Sequence, residues 1–242
     1  IRGSWVQILS PAPLYGENMK VKFIDKMGSD LSVVNAARVS FAKESEWESI
    51  PEAGPIEGLL SSQDEKLIGY LAKHNHWSPF GHASMQFHIK APVFVARQLV
   101  KHQVGLVWNE VSRRYVDDEV EFYMPEEWRG APENSKQGSS SEVIDINPHH
   151  RMVDEYQSVC KTAKWTYEYL LGRGVAPEQA RMVLPQSMMT EWYWSGTLMA
   201  FARVCNLRCK PDTQLETQMV ANQIDEVGEE YFPVSWKALR DG

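Results

Sequence analysis

The sequence predicts an α+β fold, an antiparallel sheet with helices segregated beside it. Ala83, Met85, Phe87, Ile89 and Ala91 alternate with Ser84, Gln86, His88 and Lys90, the period of two of a half-buried strand. Helical periodicity is instead gathered into long runs. The longest, Arg151 to Leu171, carries apolar Met152, Val153, Tyr156, Val159, Cys160, Ala163, Tyr167 and Leu170. Strands and helices therefore do not alternate in a Rossmann rhythm. No GxGxxG motif is present, so a bound dinucleotide would be held by side chains and a helix face.

Taken in order, Val21 to Ile24 reads as a short strand, and Asp30-Leu31-Ser32 opens a helix with Val33, Val34 and Ala37 apolar. Arg38-Val39-Ser40-Phe41 ends that helix, either plainly or at a site. Residues 43 to 60, rich in Glu, Ser, Pro and Gly, are expected to be loop. Ser62 with Glu65 makes a capping-box pattern ahead of Leu67, Ile68 and Leu71. Pro92 suits a first helical position after the 83–91 strand. Val93, Val95, Ala96, Leu99, Val100 and Val104 then share one side of a helix, and Arg97, Gln98, Lys101 and His102 the other. Within Asp117 to Tyr123, Val120 and Phe122 alternate with Glu119 and Glu121, an edge-strand pattern. Residues 133–150, opening with ENSKQGSSS, read as a flexible surface excursion. Gly172 and Gly174 end the long helix, and Pro177 begins a short one that Pro185 stops, with Arg181 on its middle turn. Met188 to Trp194 reads as a strand. Ser195 is read as the cap of a helix through about Cys205, and Asp212 as the cap of the last helix, with Leu215, Met219, Val220, Ile224 and Val227 buried.

Composition narrows the function classes. With 43% hydrophobic and 24% charged residues, the chain is an ordinary globular protein rather than a disordered one. No run approaches the roughly 20 apolar residues that cross a bilayer, so no membrane partner is expected. No signal peptide is visible, which makes the cytoplasm the expected compartment, and Ile1-Arg2-Gly3-Ser4 resembles a vector remnant. The net charge is −7, and the arginines are focal (Arg113-Arg114, Arg181, Arg203, Arg208), which suits a small anionic ligand rather than a nucleic acid. Cys160, Cys205 and Cys209 make neither a disulfide framework nor a zinc set, and the first two read as core. Most of the nine tryptophans fall in hydrophobic or amphipathic segments and are read as packing. His74-Asn75-His76 spells a nuclease motif, and His82 and His88 invite a metal cluster. No carboxylate sits at ligand spacing, so no metal is expected.

Chemistry concentrates between Ala83 and Tyr115. His102, Asn109, Glu110, Ser112, Arg113, Arg114 and Tyr115 form a dense polar cluster, with Gln98 and Lys101 just upstream. A solvated helix face accounts for Arg97 alone. The polar run that follows it points to the floor of a nucleotide site.

The same residues carry a resemblance. HWSPFGH at 76–82, FHIKAPVFVARQ at 87–98 and NEVSRRY at 109–115 resemble the signature region of the flavin-dependent thymidylate synthases. DLSVVNAARVSF at 30–41, ARMVLPQS at 180–187 and NLR at 206–208 are similar to that family's N- and C-terminal blocks. The blocks stand in the family's order and leave mainly 43–60 and 116–150 unmatched, so a single domain over 1–242 is expected. The family's Arg-His-Arg, seven residues and Ser is here Lys101-His102-Gln103, eight residues and Ser112, and Gly81 stands where an acidic residue is common. This is the pattern of a divergent branch, with the extra residue within 104–108.

The resemblance implies a homotetramer with FAD at subunit interfaces. It also implies conversion of dUMP to dTMP with one carbon from methylenetetrahydrofolate and hydride from NADPH-reduced FAD. It sets Ser112, Arg113 and Arg114 at the dUMP phosphate, and Gln98, Lys101 and Arg181 among further dUMP contacts, Gln98 and Arg181 from a neighbouring subunit. Arg208 is implied as the catalytic cation against the uracil ring, stabilising charge on N3 and O2. Ser40, Ser78, Lys101, His102, Gln103, Asn109, Glu110 and Tyr115 match flavin-lining positions, with Glu110 touching both ligands. Thr197, Met199 and Arg203 match further flavin positions, although Met199 cannot supply a polar contact. Ser112 is read as a binding group rather than a nucleophile. Two other readings stay open: a non-catalytic nucleotide-binding module, and a metal-dependent nuclease built on His74, His76, His82 and His102.

Overall fold

The computed structural model describes residues 19–48, 58–115, 119–133, 138–144 and 149–241. Residues 1–4, most of 49–60 and parts of 133–150, about which the sequence makes predictions, lie outside them.

Strands β1 (Lys20–Met27), β2 (Ser84–Pro92), β3 (Leu106–Glu110) and β4 (Met189–Thr197) form one antiparallel sheet in the order β1-β2-β4-β3. The period-two alternation builds it. β2 buries Met85, Phe87, Ile89 and Ala91, and its register with β4 runs from Ser84↔Thr197 to Pro92↔Met189. Phe87 thus opposes Trp194 and Ile89 opposes Trp192, all four buried. Against this face pack α1 (Asp30–Arg38), α2 (Ser62–Lys73), α6 (Leu198–Arg208), α7 (Leu215–Tyr231) and α8 (Pro233–Arg240). They contribute Val33, Val34, Ile68, Phe201, Val220, Ile224, Phe232 and Trp236 to one core. Each such side chain removed from water stabilises by about 1.5–3 kcal/mol, so this face decides where the helices lie. A smaller core joins α4 (His149–Gly172) and α5 (Pro177–Ala180) to the 119–123 segment through Val120, Phe122, Cys160, Tyr167 and Ala180. The α+β class with an antiparallel sheet is as predicted. No described helix is long and apolar enough to cross a membrane.

Several boundaries differ from expectation, each for a local reason. Ser61, not Ser62, caps α2: its hydroxyl accepts from the Asp64 N–H at 3.2 Å. Pro92 ends β2 and caps α3 (Val93–Leu99) instead of opening it. That helix stops at Leu99, so Lys101, His102 and Gln103 lie in a turn rather than on a helix face, and Val104 is exposed. Gly105, at φ +78°, then turns the chain into β3, a strand the sequence did not announce. Thr197, not Ser195, caps α6 by accepting from Ala200 N–H at 3.2 Å, while Ser195 stays in β4. α7 starts after Gln214 rather than at Asp212, Met219 on it is exposed, and Pro233 opens a further helix, α8. Val159, expected in the core, is 59% exposed. Phe122 makes a single bridge to Met188 rather than a strand. Residues 138–144 return onto 129–130 through the Arg129↔Val143 bridge and a 2.8 Å bond from Arg129 Nε to Ser139 Oγ.

Two buried carboxylates tie the helices together. Asp30 of α1 accepts the N–H groups of Val234 (3.0 Å) and Ser235 (2.9 Å), so the first helix caps the last. Asp64, 2% exposed, accepts from Arg38 Nε (2.9 Å), Ser45 Oγ (3.0 Å) and Ser61 Oγ (2.8 Å). Burial alone would raise the Asp64 carboxyl; the Arg38 guanidinium and the two hydroxyls outweigh it and hold the group below its ordinary 3.8. Its contribution to stability is therefore present above pH 3.8 and lost as pH falls through the lower folded value. Asp64→Ala leaves Arg38 without its partner and is expected to cost about 3 kcal/mol in denaturant unfolding at pH 7. Wild-type stability in that variant would contradict the assignment.

Candidate active site

A cavity of about 830 Å³ opens where β2 ends and β4 begins. Glu110, Arg113 and Arg181, three of the predicted dUMP residues, line it together. The pairing of Glu110 with Trp192 brings β3 there. The Glu110 carboxylate accepts from Thr190 Oγ1 at 2.8 Å and from Trp108 Nε1 at 3.2 Å. Arg113 Nη2 donates to the Glu119 carbonyl at 3.3 Å. Lys90, Arg97, Arg113 and Arg181 share the lining with Glu110, Glu119, Glu121, Glu178 and Glu191. This mixed wall suits a ligand that brings both an anion and hydrogen-bond donors, rather than a bare anion.

Ser112 and Arg114 form a separate pair beside the cavity. Arg114 Nε donates to Ser112 Oγ at 3.0 Å, and the Arg114 guanidinium lies 4.8 Å from the Tyr115 ring centre. The Arg114 backbone N–H donates to the same Ser112 Oγ at 3.4 Å.

His102, Arg203 and Arg208 form a second group at the α6 end. Arg208 Nε donates to His102 Nε2 at 3.0 Å, so that nitrogen carries no proton and the imidazole is neutral. Burial, then the positive charges of Arg208 and Arg203, push the His102 pKa below its ordinary 6.5. Burial likewise lowers Arg208. Among the described residues no carboxylate pairs with Arg203 or Arg208. Two cations without a counter-charge make a place for an anion.

Ser40 and Ser78 line a different hollow of about 880 Å³, with Phe41, Tyr70 and Trp77 in its wall. It shares no lining residue with the Glu110 cavity. Phe41 and Trp77 are 77% and 65% exposed and present flat apolar surface there. Gln98 bonds Gln214, while Lys101, Gln103 and Asn109 are exposed. The Thr197 hydroxyl serves as the α6 cap, and Met199 packs on the core, so both are engaged structurally. The nuclease grouping does not form. His74 and His76 lie against Tyr70, His102 takes Arg208, and among the described residues no three His, Cys, Asp or Glu side chains could share a metal ion. Thr190 and Trp108 were not read as site residues; only the β3–β4 register reveals them.

The family model described as "Thymidylate synthase complementing protein" matches residues 22–234. The chain belongs to the flavin-dependent thymidylate synthase family. A flavin-dependent thymidylate synthase of Thermus thermophilus is 37% identical over 222 residues, covering 91% of this chain and 75% of that protein. One from Kosmotoga olearia is 38% identical over 222 residues, covering 90% and 89%. Among solved structures, a UMP/dUMP methylase, PolB from Streptomyces cacaoi, bound with 5-Br dUMP, superposes with a TM-score of 0.76 at 31% identity, covering 93% of this chain and 95% of that one. The same methylase with 5-Br UMP gives 0.77 at 29% identity, covering 95% and 97%.

For a flavin-dependent thymidylate synthase the residues present fit the dinucleotide. Arg203, beside His102, offers charge with no carboxylate pairing it among the described residues, and the Ser40–Ser78 hollow offers aromatic surface and hydroxyls. The His102–Arg208 contact has a pH signature. Because the folded pKa is depressed, the contact's contribution to stability is full above pH 6.5 and is lost as pH falls through the folded value. An NMR titration of the His102 imidazole is expected to show a midpoint below 6.5 that rises in Arg208→Ala. A midpoint that Arg208→Ala leaves unmoved contradicts the contact.

Proposed function

We propose that the chain methylates C5 of dUMP reductively to dTMP, with methylenetetrahydrofolate as one-carbon donor and NADPH as the source of electrons. The observation that carries this reading is the α6 terminus, where Arg208 is fixed by a neutral imidazole and has no carboxylate partner among the described residues. A cation so held stabilises negative charge spreading to N3 and O2 of a uracil ring, which makes C5 more nucleophilic. Being neutral, His102 orients Arg208 and does not compete with it for the anion. Bound FAD supplies the hydride that completes the methyl group. His102 and Arg203, together with Ser40 and Ser78, are the residues that would hold it; Lys101, Gln103, Asn109 and Tyr115 are assigned to the same ligand by family resemblance, as is Thr197, whose hydroxyl is the α6 cap. Glu110, Ser112, Arg113, Arg114, Arg181, Gln98 and Lys101 bind the nucleotide, with Arg114 and Ser112 already paired as a phosphate clamp.

The active enzyme in this reading is a homotetramer in the cytoplasm. Support comes from the two hollows with no lining residue in common and from the exposed aromatic surface around Phe41 and Trp77, which together suit a site completed by another copy. Methylation of UMP is a second reading, raised by the likeness to the Streptomyces cacaoi UMP/dUMP methylase. Tritium release from C5-labelled nucleotide, with FAD, NADPH and methylenetetrahydrofolate, tests both. Release from dUMP well above that from UMP is expected, with near-complete loss in Arg208→Ala while the protein stays folded. Undiminished turnover in Arg208→Ala, or protein that takes up no flavin, overturns the proposal.

A further inference from the structure

We infer that Thr190 and Trp108 are positioning residues that fix the Glu110 carboxylate for the nucleotide, an inference that rests on the Glu110 cavity being the nucleotide site. Glu110 is the last residue of an edge strand and is exposed. A glutamate in that position ordinarily samples many rotamers, and ordering it on binding costs affinity. Here both oxygens are already held: Oε1 by Thr190 Oγ1 at 2.8 Å and Oε2 by Trp108 Nε1 at 3.2 Å.

The two donors sit on rigid framework. Thr190 is 6% exposed and lies on the buried face of β4. The Trp108 ring stacks on Trp192 with centroids 4.4 Å apart and meets Trp194 edge-on at 5.6 Å. Indole donors on this sheet face are not satisfied by default, since Trp192 Nε1 and Trp194 Nε1 have no partner among the described residues. The Trp108 bond to Glu110 is therefore a particular arrangement of that residue. An ionised carboxylate offers about four lone-pair directions, and the two donors use two of them. The remainder stay available to an N–H or O–H of a ligand in the cavity shared with Arg113 and Arg181. The framework also fixes the group in advance, so binding does not have to order it.

Thr190→Val keeps the shape of the side chain and removes the donor at a buried position, while Thr190→Ser keeps the donor. By calorimetry on the FAD-loaded enzyme, Thr190→Val is expected to weaken dUMP binding about tenfold, the scale of a hydrogen bond to a charged group, with the unfolding midpoint unchanged. Thr190→Ser restores binding. In a Glu110→Gln background, Thr190→Val has little further effect, because the two act on one contact. Without any ligand, the Trp108 indole N–H resonance is expected to shift in both Thr190→Val and Glu110→Gln. Wild-type affinity in Thr190→Val, or losses that simply add in the double variant, overturns the inference. If the wild-type enzyme binds no dUMP, the nucleotide reading fails separately, and an indole resonance unmoved by Glu110→Gln overturns the positioning itself.

Discussion

The antiparallel register between β2 and β4 is the constraint on which the rest of the molecule depends. A slip of β4 by one residue would turn Trp192 and Trp194 from core to solvent while Phe87 and Ile89 stay buried on β2, so burial holds the register firmly. The same register sets where the chain leaves the sheet, at Pro92 into α3 and at Thr197 into α6. It leaves one edge of β4 free for β3, which presses close there. A Cβ on Gly196 would lie 2.4 Å from the Gly105 carbonyl oxygen and from Leu106 Cδ2. The functional groups inherit their places from this pairing: Glu110 opposite Trp192, and Arg203 and Arg208 along the helix that β4 feeds.

The helical layer fixes the α6 end from behind. Asp225 accepts from Arg240 Nε at 2.8 Å and from Trp236 Nε1 at 2.8 Å, and Arg240 also reaches Asn206, which donates to the Leu239 carbonyl at 2.9 Å. Gly228 has no side chain because Trp236 occupies its space; a Cβ there would lie 2.3 Å from the indole. α8 is capped in turn by Asp30, so the first helix anchors the last, which packs on α6. Arg208 thus projects from a clamped helix end toward His102, with little freedom to be lost on binding.

The sheet's central strand, both core cysteines and most of the helices were legible in the sequence, because burial writes a period into them. β3 was not: in LVWNE, Val107 and Asn109 face solvent, and Glu110, at the strand's end, is polar because it serves the cavity. The caps at Ser61 and Thr197 were misplaced by one or two residues because Ser62 and Ser195 are equally able to cap, and tertiary packing chooses between them. Lys101 to Gln103 looked helical because nothing before Gly105 breaks the pattern. In the site, Glu110, Arg113 and Arg181 were named from resemblance and meet in one cavity. Thr190 and Trp108 carry no motif, since their role exists only once β3 lies on β4.

The separation of the Glu110 cavity from the Ser40–Ser78 hollow underlies the proposal that a working centre is assembled from more than one copy of the chain. Subunit mixing tests it most directly. Arg181→Ala and Arg208→Ala proteins, each without turnover, are co-assembled and assayed for dUMP-dependent tritium release. Shared sites predict that the mixture regains activity neither parent has, because some centres then draw an intact Arg208 from one copy and an intact Arg181 from its neighbour. Mixed oligomers as inactive as their parents would contradict the account.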